Sequence, residues 1–294
     1  MRTLIAGCGY VGSALAQELV ASGHTVWGLR RDPAGLPEGV HPLAADLTKA
    51  ETLQALPNNL DFVIYAASAG GRREENYRAA YVDGLRCLLT ALAAQRSSIR
   101  RVLFTSSTSV YPQDDGSWID EETPATPTHF TGTLLRQAED LLWNSGFSAV
   151  VLRLAGIYGP GRFRLIEQIT KGEARCSDGP PRYSNRIHRD DCAGALHHLM
   201  QLPHPKPLYL GVDDAPVDIC DVQRWIAMQL EQPLPPTVSE ELAPPILRAN
   251  KRCSNALLRQ SGYSLRYPSY QDGYSAILDE WRRISPSLRF EHTE

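Results

Sequence analysis

The chain has 294 residues, of which 43 % are hydrophobic and 21 % charged, with a formal net charge of -3. That length accommodates one large α/β domain or two modest ones, and the composition excludes disordered and fibrous classes. The charge balance lacks the clustered cationic excess that nucleic acid or an anionic membrane would require. Only four of the 30 cationic side chains are lysines, Lys49, Lys171, Lys206 and Lys251. Six cysteines, at positions 8, 87, 176, 192, 220 and 253, form no C-x-x-C pair. They point to a reducing, cytoplasmic setting rather than a disulfide framework or a zinc site. The apolar step Leu4-Ile5-Ala6 is too short for a signal sequence, and no stretch approaches the roughly 18 apolar residues of a membrane span.

In chain order, Leu4 to Ala6 reads as a buried strand, and Val11, Leu15 and Leu19 recur at helical spacing until Gly23. Further strands are predicted at Thr25 to Leu29, Val40 to Ala45 and Phe62 to Ala66, with a polar helix over Leu47 to Leu56. A long helix carries Tyr81, Leu85, Leu88, Leu89 and Leu92, and Arg101 to Thr105 is the fifth strand. The Asp-, Pro- and Thr-rich stretch from Tyr111 to His129 reads as a long functional loop. A helix from Leu134 to Trp143 and a sixth strand from Ala149 to Leu154 follow. The alternation predicts an α/β Rossmann fold, a doubly wound parallel sheet. Beyond Gly156, Gly-Pro clusters punctuate shorter elements, predicting a smaller, interleaved C-terminal substrate-side domain. Residues 1–155, with a return over about 187–213, make the dinucleotide-binding domain, and 156–186 with 214–294 make the smaller one. The apolar helices at Leu85 to Leu92 and Leu134 to Trp143 serve the core, with pairing in a homodimer as the second reading.

Gly7-Cys8-Gly9-Tyr10-Val11-Gly12 lies between the first strand and the first helix, the context in which G-x-G-x-x-G holds a dinucleotide. The first glycine permits the turn, the second lets backbone approach a pyrophosphate, and the third allows close helix packing. Cys8 is best read as a small filler. At the end of the second strand, where an acidic residue would bond a ribose 2'-hydroxyl, stand Arg30 and Arg31. Two guanidinium groups suit a 2'-phosphate, so NADP(H) is expected over NAD(H), with Asp32 next in line for the opposite choice.

Later motifs resemble the extended short-chain dehydrogenase/reductase superfamily, the NAD-dependent epimerase/dehydratase family. They are Asp46-Leu47, Ala66-Ala67-Ser68, the run Phe104-Thr105-Ser106-Ser107-Thr108-Ser109-Val110-Tyr111, Leu152 to Arg162 with its Tyr158-Gly159-Pro160, Asn185 to Asp191, and Lys251 to Pro268. The resemblance implies that Asp46 and Leu47 touch adenine and that Ala66, Ala67 and Ser68 pass the cofactor ribose. It also implies that Ser107 bears the active hydroxyl. One element departs from the family. Aligning Pro127 and Gly132 on the pattern P-x-x-x-Y-G-x-x-K-x-x-x-E puts Thr131 at the tyrosine, Leu135 at the lysine and Glu139 at the acidic end. Independently of alignment, the residues four before the lysines are Ala45, Glu167, Leu202 and Leu247, so no Tyr-x-x-x-Lys exists. The chain resembles the atypical branch that lacks this pair.

Candidate groups for the missing proton relay are Ser107, His129, the vacated position Thr131, Tyr111, Tyr158 and His188, with a packed hydrogen-bonding role the stronger reading for His188. Tyr111 and Tyr158 are candidate substrate-wall aromatics. Arg162 and Arg186, with Arg153 and Arg164, are candidates for a substrate diphosphate. No metal-ligand spacing occurs; His197 and His198 are adjacent on a helix and point apart. Two functions follow. One is an oxidoreductase or epimerase/dehydratase-like enzyme on a small polar or nucleotide-linked substrate such as a nucleotide sugar. The other is a non-catalytic NADP(H)-binding sensor.

Overall fold

The computed structural model describes residues 1–95, 98–241 and 250–284. Its first half runs through β1 (Arg2–Ala6), α1 (Tyr10–Ala21), β2 (Thr25–Arg30), β3 (Val40–Ala44), β4 (Phe62–Tyr65), α2 (Glu74–Tyr77), a π-helical turn (Arg78–Asp83), α3 (Gly84–Ala94), β5 (Arg101–Ser107), β6 (Trp118–Ile119), α4 (Phe130–Trp143) and β7 (Ala149–Leu154). The second half adds β8 (Gly156–Tyr158), α5 (Arg164–Thr170), β9 (Cys176–Ser177), β10 (Tyr183–Ser184), β11 (Arg186–His188), α6 (Arg189–Gln201) and β12 (Leu208–Gly211). It closes with β13 (Val217–Asp218), α7 (Ile219–Gln229), β14 (Thr237–Val238), β15 (Arg252–Cys253), α8 (Ala256–Gln260) and α9 (Tyr270–Ile284).

Seven strands form one parallel sheet in the order β12-β7-β5-β4-β1-β2-β3. Its strands are continuous apolar runs because both faces are covered, and alternate side chains go to opposite layers. Leu4, Val63, Phe104 and Val151 pack with Leu85, Leu88, Leu92, Leu135 and Leu142 of α3 and α4. Their neighbours Ile5, Ile64, Leu103 and Leu152 pack with Leu15 and Leu19 of α1 and Leu196 and Leu199 of α6. Leu85, Leu88, Leu89 and Leu92 of α3 and Leu135 and Leu142 of α4 are therefore buried in this chain's own core.

A third core sits beyond the sheet. Ile166 and Ile169 of α5, Val222 and Ile226 of α7, and Tyr270, Tyr274 and Ile277 of α9 enclose it with Tyr158. Leu258 and Tyr263 instead join the core under α1 and α6. Here part of the 214–294 stretch packs on the dinucleotide-binding half.

The helix expected over Leu47 to Leu56 is only one 3-10 turn, Ala50–Leu53. Local side-chain bonds divert the backbone. The Asp46 carboxylate accepts from the Thr48 amide and hydroxyl, and the Thr52 hydroxyl donates to the carbonyls of Asp46 and Lys49. The Tyr111 to His129 stretch is a loop with one short strand in it. Its β6 pairs in parallel with β15 from the far end of the chain.

Among the described residues, no helix is long and apolar enough to cross a membrane. No group of three or more His, Cys, Asp or Glu among them could hold a metal ion.

Candidate functional site

β1 lies between β2 and β4, so successive strands depart to either side of it. Open parallel sheets hold ligands in the crevice at such a point, here the carboxyl ends of β1 and β4. The three glycines of the loop there have three separable causes. Gly7 has φ +89°, and a Cβ on it would stand 2.3 Å from the Ala67 nitrogen, so the turn and the close pass of the segment after β4 both need glycine. Gly12 brings α1 against the loop, with a Cβ there falling 2.7 Å from the Gly7 carbonyl. A Cβ on Gly9 would meet no atom within 4 Å. The protein's own packing therefore does not require that glycine, whereas close approach of an anion would. The first turn of α1 has no side-chain cap and no acidic residue, leaving donors and the dipole's positive end for an anion.

Around this loop stand the other expected cofactor residues. Asp46 is held below the usual carboxylate range chiefly by the hydrogen bond from the Thr48 hydroxyl. The charge of Arg31 acts on Asp46 and that of Arg30 on Cys8. Neither arginine side chain has a hydrogen bond or ion pair with another described residue; Arg31 is exposed and Arg30 partly so. Cys8 is fully buried, and burial pushes its thiol up, which suits a filler. Ala66 and Ala67 are partly exposed, Ser68 exposed, and the Ala66 amide donates to Ala6 at 2.8 Å. Leu47 and Val11 contribute to the two cores flanking the crevice.

Tyr10 reaches across the crevice. Its hydroxyl donates to the Pro160 carbonyl at 2.9 Å, and the Arg162 and Arg189 guanidinium carbons lie 3.9 and 5.2 Å from its ring centroid. Arg162 is exposed. It thus sits on the glycine-loop side of the segment after β8.

Ser107 ends β5, partly exposed, and its hydroxyl accepts from the Ser109 amide at 3.2 Å. Gly132 seats α4 against that turn, since a Cβ there would lie 2.5 Å from the Ser109 carbonyl. The start of α4 is thereby held beside the Ser107 turn, and it carries Thr131. His129 caps the helix, its Nδ1 accepting from the Thr131 amide at 3.4 Å and lying 3.0 Å from the Thr131 hydroxyl. Leu135, at the lysine position, is buried in the core beneath. The first turn of α4 thus carries a short hydroxyl at Thr131, and one turn later a hydrocarbon, Leu135, is turned into the core.

Arg153 and Tyr111 face inward. Arg153, 2 % exposed, grips both carboxylate oxygens of fully buried Glu139 through Nε at 2.9 Å and Nη2 at 2.6 Å. Ser106 donates to the same carboxylate, and Arg153 Nη1 donates to the Tyr111 hydroxyl, at 2.6 Å each. Burial opposes the charge on Arg153, but the Glu139 hydrogen bonds and charge outweigh it and hold the guanidinium protonated. The Tyr111 hydroxyl donates a hydrogen bond to the Asp120 carbonyl, and its main-chain carbonyl accepts from the buried Lys251 ammonium at 2.9 Å. Both side chains are committed to internal partners rather than to a cleft wall or a diphosphate.

Tyr158 and Arg186 are likewise internal. β8 and β11 pair in parallel with Arg186 opposite Gly156 and His188 opposite Tyr158, which puts these three side chains on one face. α9 closes over it, and a Cβ on Gly273 would stand 2.1 Å from the Tyr158 hydroxyl. His188 Nδ1 accepts from the Asp190 amide at 3.2 Å, so the neutral ring carries its proton on Nε2. Arg186 bonds Ser184 through Nη2. Arg186 Nη1, His188 Nε2 and one oxygen of Asp213 are buried with no protein partner. Desolvation pushes the Asp213 carboxyl up to about 7 against the opposing charge of Arg186. Sequence reasoning had no signal for Asp213, whose setting depends on β12 and α9 arriving from distant parts of the chain.

Residues 3–211 match the NAD dependent epimerase/dehydratase family, and the chain belongs to that family. It is 32 % identical to Protein YeeZ of Escherichia coli (strain K12) over 220 residues, covering 71 % of this chain and 76 % of that protein. A solved structure from Methylobacillus flagellatus, described as of the NAD-dependent epimerase/dehydratase type, is 39 % identical. It superposes with a TM-score of 0.79 over 96 % of this chain and 98 % of its own. The human epimerase family protein SDR39U1, solved with NADPH, shares the fold at 19 % identity and a TM-score of 0.75, over 95 % of this chain and 99 % of its own.

Proposed function

We propose that the chain binds NADP(H) and uses it in oxidoreductase or epimerase/dehydratase-like chemistry on a small polar or nucleotide-linked substrate in the crevice beyond β4, β5 and β7. The observation that carries this reading is Gly9, a glycine with open space where an anion would lie, with the α1 N-terminus behind it. The residues fit the group: Gly7, Gly9 and Gly12 with the first-turn amides of Tyr10 and Val11 would hold the pyrophosphate, and Asp46 and Leu47 the adenine side. When bound, the nicotinamide supplies hydride transfer. Ser107 would orient the reacting oxygen and Arg162 would face an anionic part of the ligand. The six free cysteines support a cytoplasmic setting. The sensor reading is favoured by the hydrocarbon at Leu135, which forbids the usual relay.

Arg30 and Arg31, two cations without ion-pair partners beside the adenosine end, support the phosphorylated cofactor. Replacing both with Ala should weaken NADPH binding by about 10-fold or more, as loss of a charge-assisted phosphate contact does, while NADH changes little. Isothermal titration with the two cofactors reads this out. Equal losses would remove the 2'-phosphate assignment.

A further inference from the structure

Behind the crevice, a cation and a carboxyl are enclosed together and each keeps one polar atom without a protein partner. Ile187 of β11 packs in the core with α1 and α6, so Arg186 and His188 on either side of it leave the other face of the strand. There the Arg186 guanidinium carbon lies 5.5 Å from the Tyr270 ring centroid. The Tyr158 ring meets His188 edge to face at 5.4 Å and stacks on Tyr274 at 4.9 Å, one turn of α9 beyond Tyr270. Asp213 arrives from the end of β12. Its amide donates to the Arg186 carbonyl at 2.7 Å, and its charge acts on Tyr158 and Tyr274.

Arg186, His188 and Asp213 are 6, 1 and 2 % exposed. Arg186 Nη2 donates to Ser184, and Asp213 Oδ1 accepts from the Ala215 amide. Arg186 Nη1 and Asp213 Oδ2 are the atoms left over. The two residues touch through their backbones, yet no hydrogen bond or ion pair joins their side chains. Burying such groups unsatisfied is costly, and native proteins complete them with protein or with ordered solvent. The surrounding charges select the partner. A cation would meet the Arg186 guanidinium and the Nε2 proton of His188. An anion would meet the lone pairs of Asp213 and the charges of Asp191 and Asp214, which already act on that carboxyl. The group must accept from one side and donate to the other. It must also be small, because α9 is pressed so closely here that a Cβ on Gly273 would stand 2.1 Å from the Tyr158 hydroxyl.

We infer that one ordered water molecule is built into this enclosure, accepting from Arg186 Nη1 and donating to Asp213 Oδ2. Buried waters typically complete about three hydrogen bonds to groups that have no other partner, and His188 Nε2, also unpartnered, supplies the third. The water fastens the end of β12 to β11 beneath α9, and so joins the third core to the sheet. It also backs the crevice wall, since Tyr158 leads into Gly159 and Pro160, which meet Tyr10 of the glycine loop.

A crystal structure of the full chain tests this without any cofactor. It should show a solvent peak about 2.7–3.2 Å from both Arg186 Nη1 and Asp213 Oδ2, unchanged after the crystals are soaked in bromide. Magnetic relaxation of water oxygen in solution should count one long-lived water fewer in the double variant Arg186→Met with Asp213→Leu, whose hydrocarbons take up the same space. If that variant does not fold, the wild-type peak alone decides. A direct Arg186–Asp213 ion pair, or ordered side chains with no peak between them, overturns the inference. So does a peak that bromide replaces with an anomalous signal, which would make the enclosure an anion site.

Discussion

Glu139→Ala should destabilise the protein by about 3–5 kcal/mol in urea unfolding, the cost of stranding a buried charge. The variant leaves the Arg153 guanidinium, 2 % exposed, without the carboxylate that accepts two of its donors. It also removes the acceptor of the Ser106 hydroxyl. Arg136, 3.6 Å from Glu139, is itself a cation and cannot replace the lost carboxylate. The pair matters beyond its own energy because it ties α4 to β5 and β7, and Tyr111 hangs from the same guanidinium. Exchanging both partners for hydrocarbons, as in Glu139→Leu with Arg153→Met, should recover most of the loss, since a packed apolar pair avoids the desolvation of two ions. A single variant as stable as the parent, or a double variant worse than the single, would refute this account of the core.

Asp213 should make stability fall as the pH rises from about 4 to about 7. Its folded carboxyl titrates at about 7 because burial disfavours the anion, whereas an unfolded aspartate titrates at about 3.9. Between those values the unfolded chain has released a proton that the folded chain retains, and ionisation therefore favours unfolding. Across the window of about 3 units the loss amounts to about 4 kcal/mol at most. The groups acting on this carboxyl are Arg186 and the Ala215 amide, which lower its proton affinity, and Asp214 and Asp191, which raise it; Tyr158 and Tyr274 share the enclosure. Asp213→Asn should match the parent near pH 4 and melt higher above pH 7, with the slope between them reduced. Parallel melting curves for the two proteins across that range would show that Asp213 is ionised in the folded state throughout.

Most of the sheet was legible in the sequence because each strand is a short apolar run whose two faces are both buried, and such runs declare themselves locally. The glycine loop was legible for a similar reason, since its function lies in consecutive residues. Reading failed where short polar side chains competed with the helix, as at Asp46, Thr48 and Thr52. It failed again where a side chain's surroundings come from elsewhere in the chain. Arg153 and Arg186 look alike in sequence to cations for a diphosphate, and Tyr111 and Tyr158 look like wall aromatics. Glu139 and α9 decide otherwise, and neither is near them in sequence. The lysine scarcity was informative from the start: it excluded a Tyr-x-x-x-Lys pair without an alignment, and Leu135 is packed into the core.

On the proposed reading, the loop from Gly7 to Gly12 is a dinucleotide cradle whose middle glycine serves the ligand rather than the fold. Thermal unfolding of the wild type and Gly9→Ala, each with and without NADPH, tests it most directly. The two proteins should melt at similar temperatures alone, because a Cβ at Gly9 meets no atom within 4 Å. With NADPH at about 100 times its dissociation constant the wild type should gain about 2.7 kcal/mol, and Gly9→Ala should gain much less at the same concentration. Equal stabilisation of both proteins, or of neither, would contradict the account.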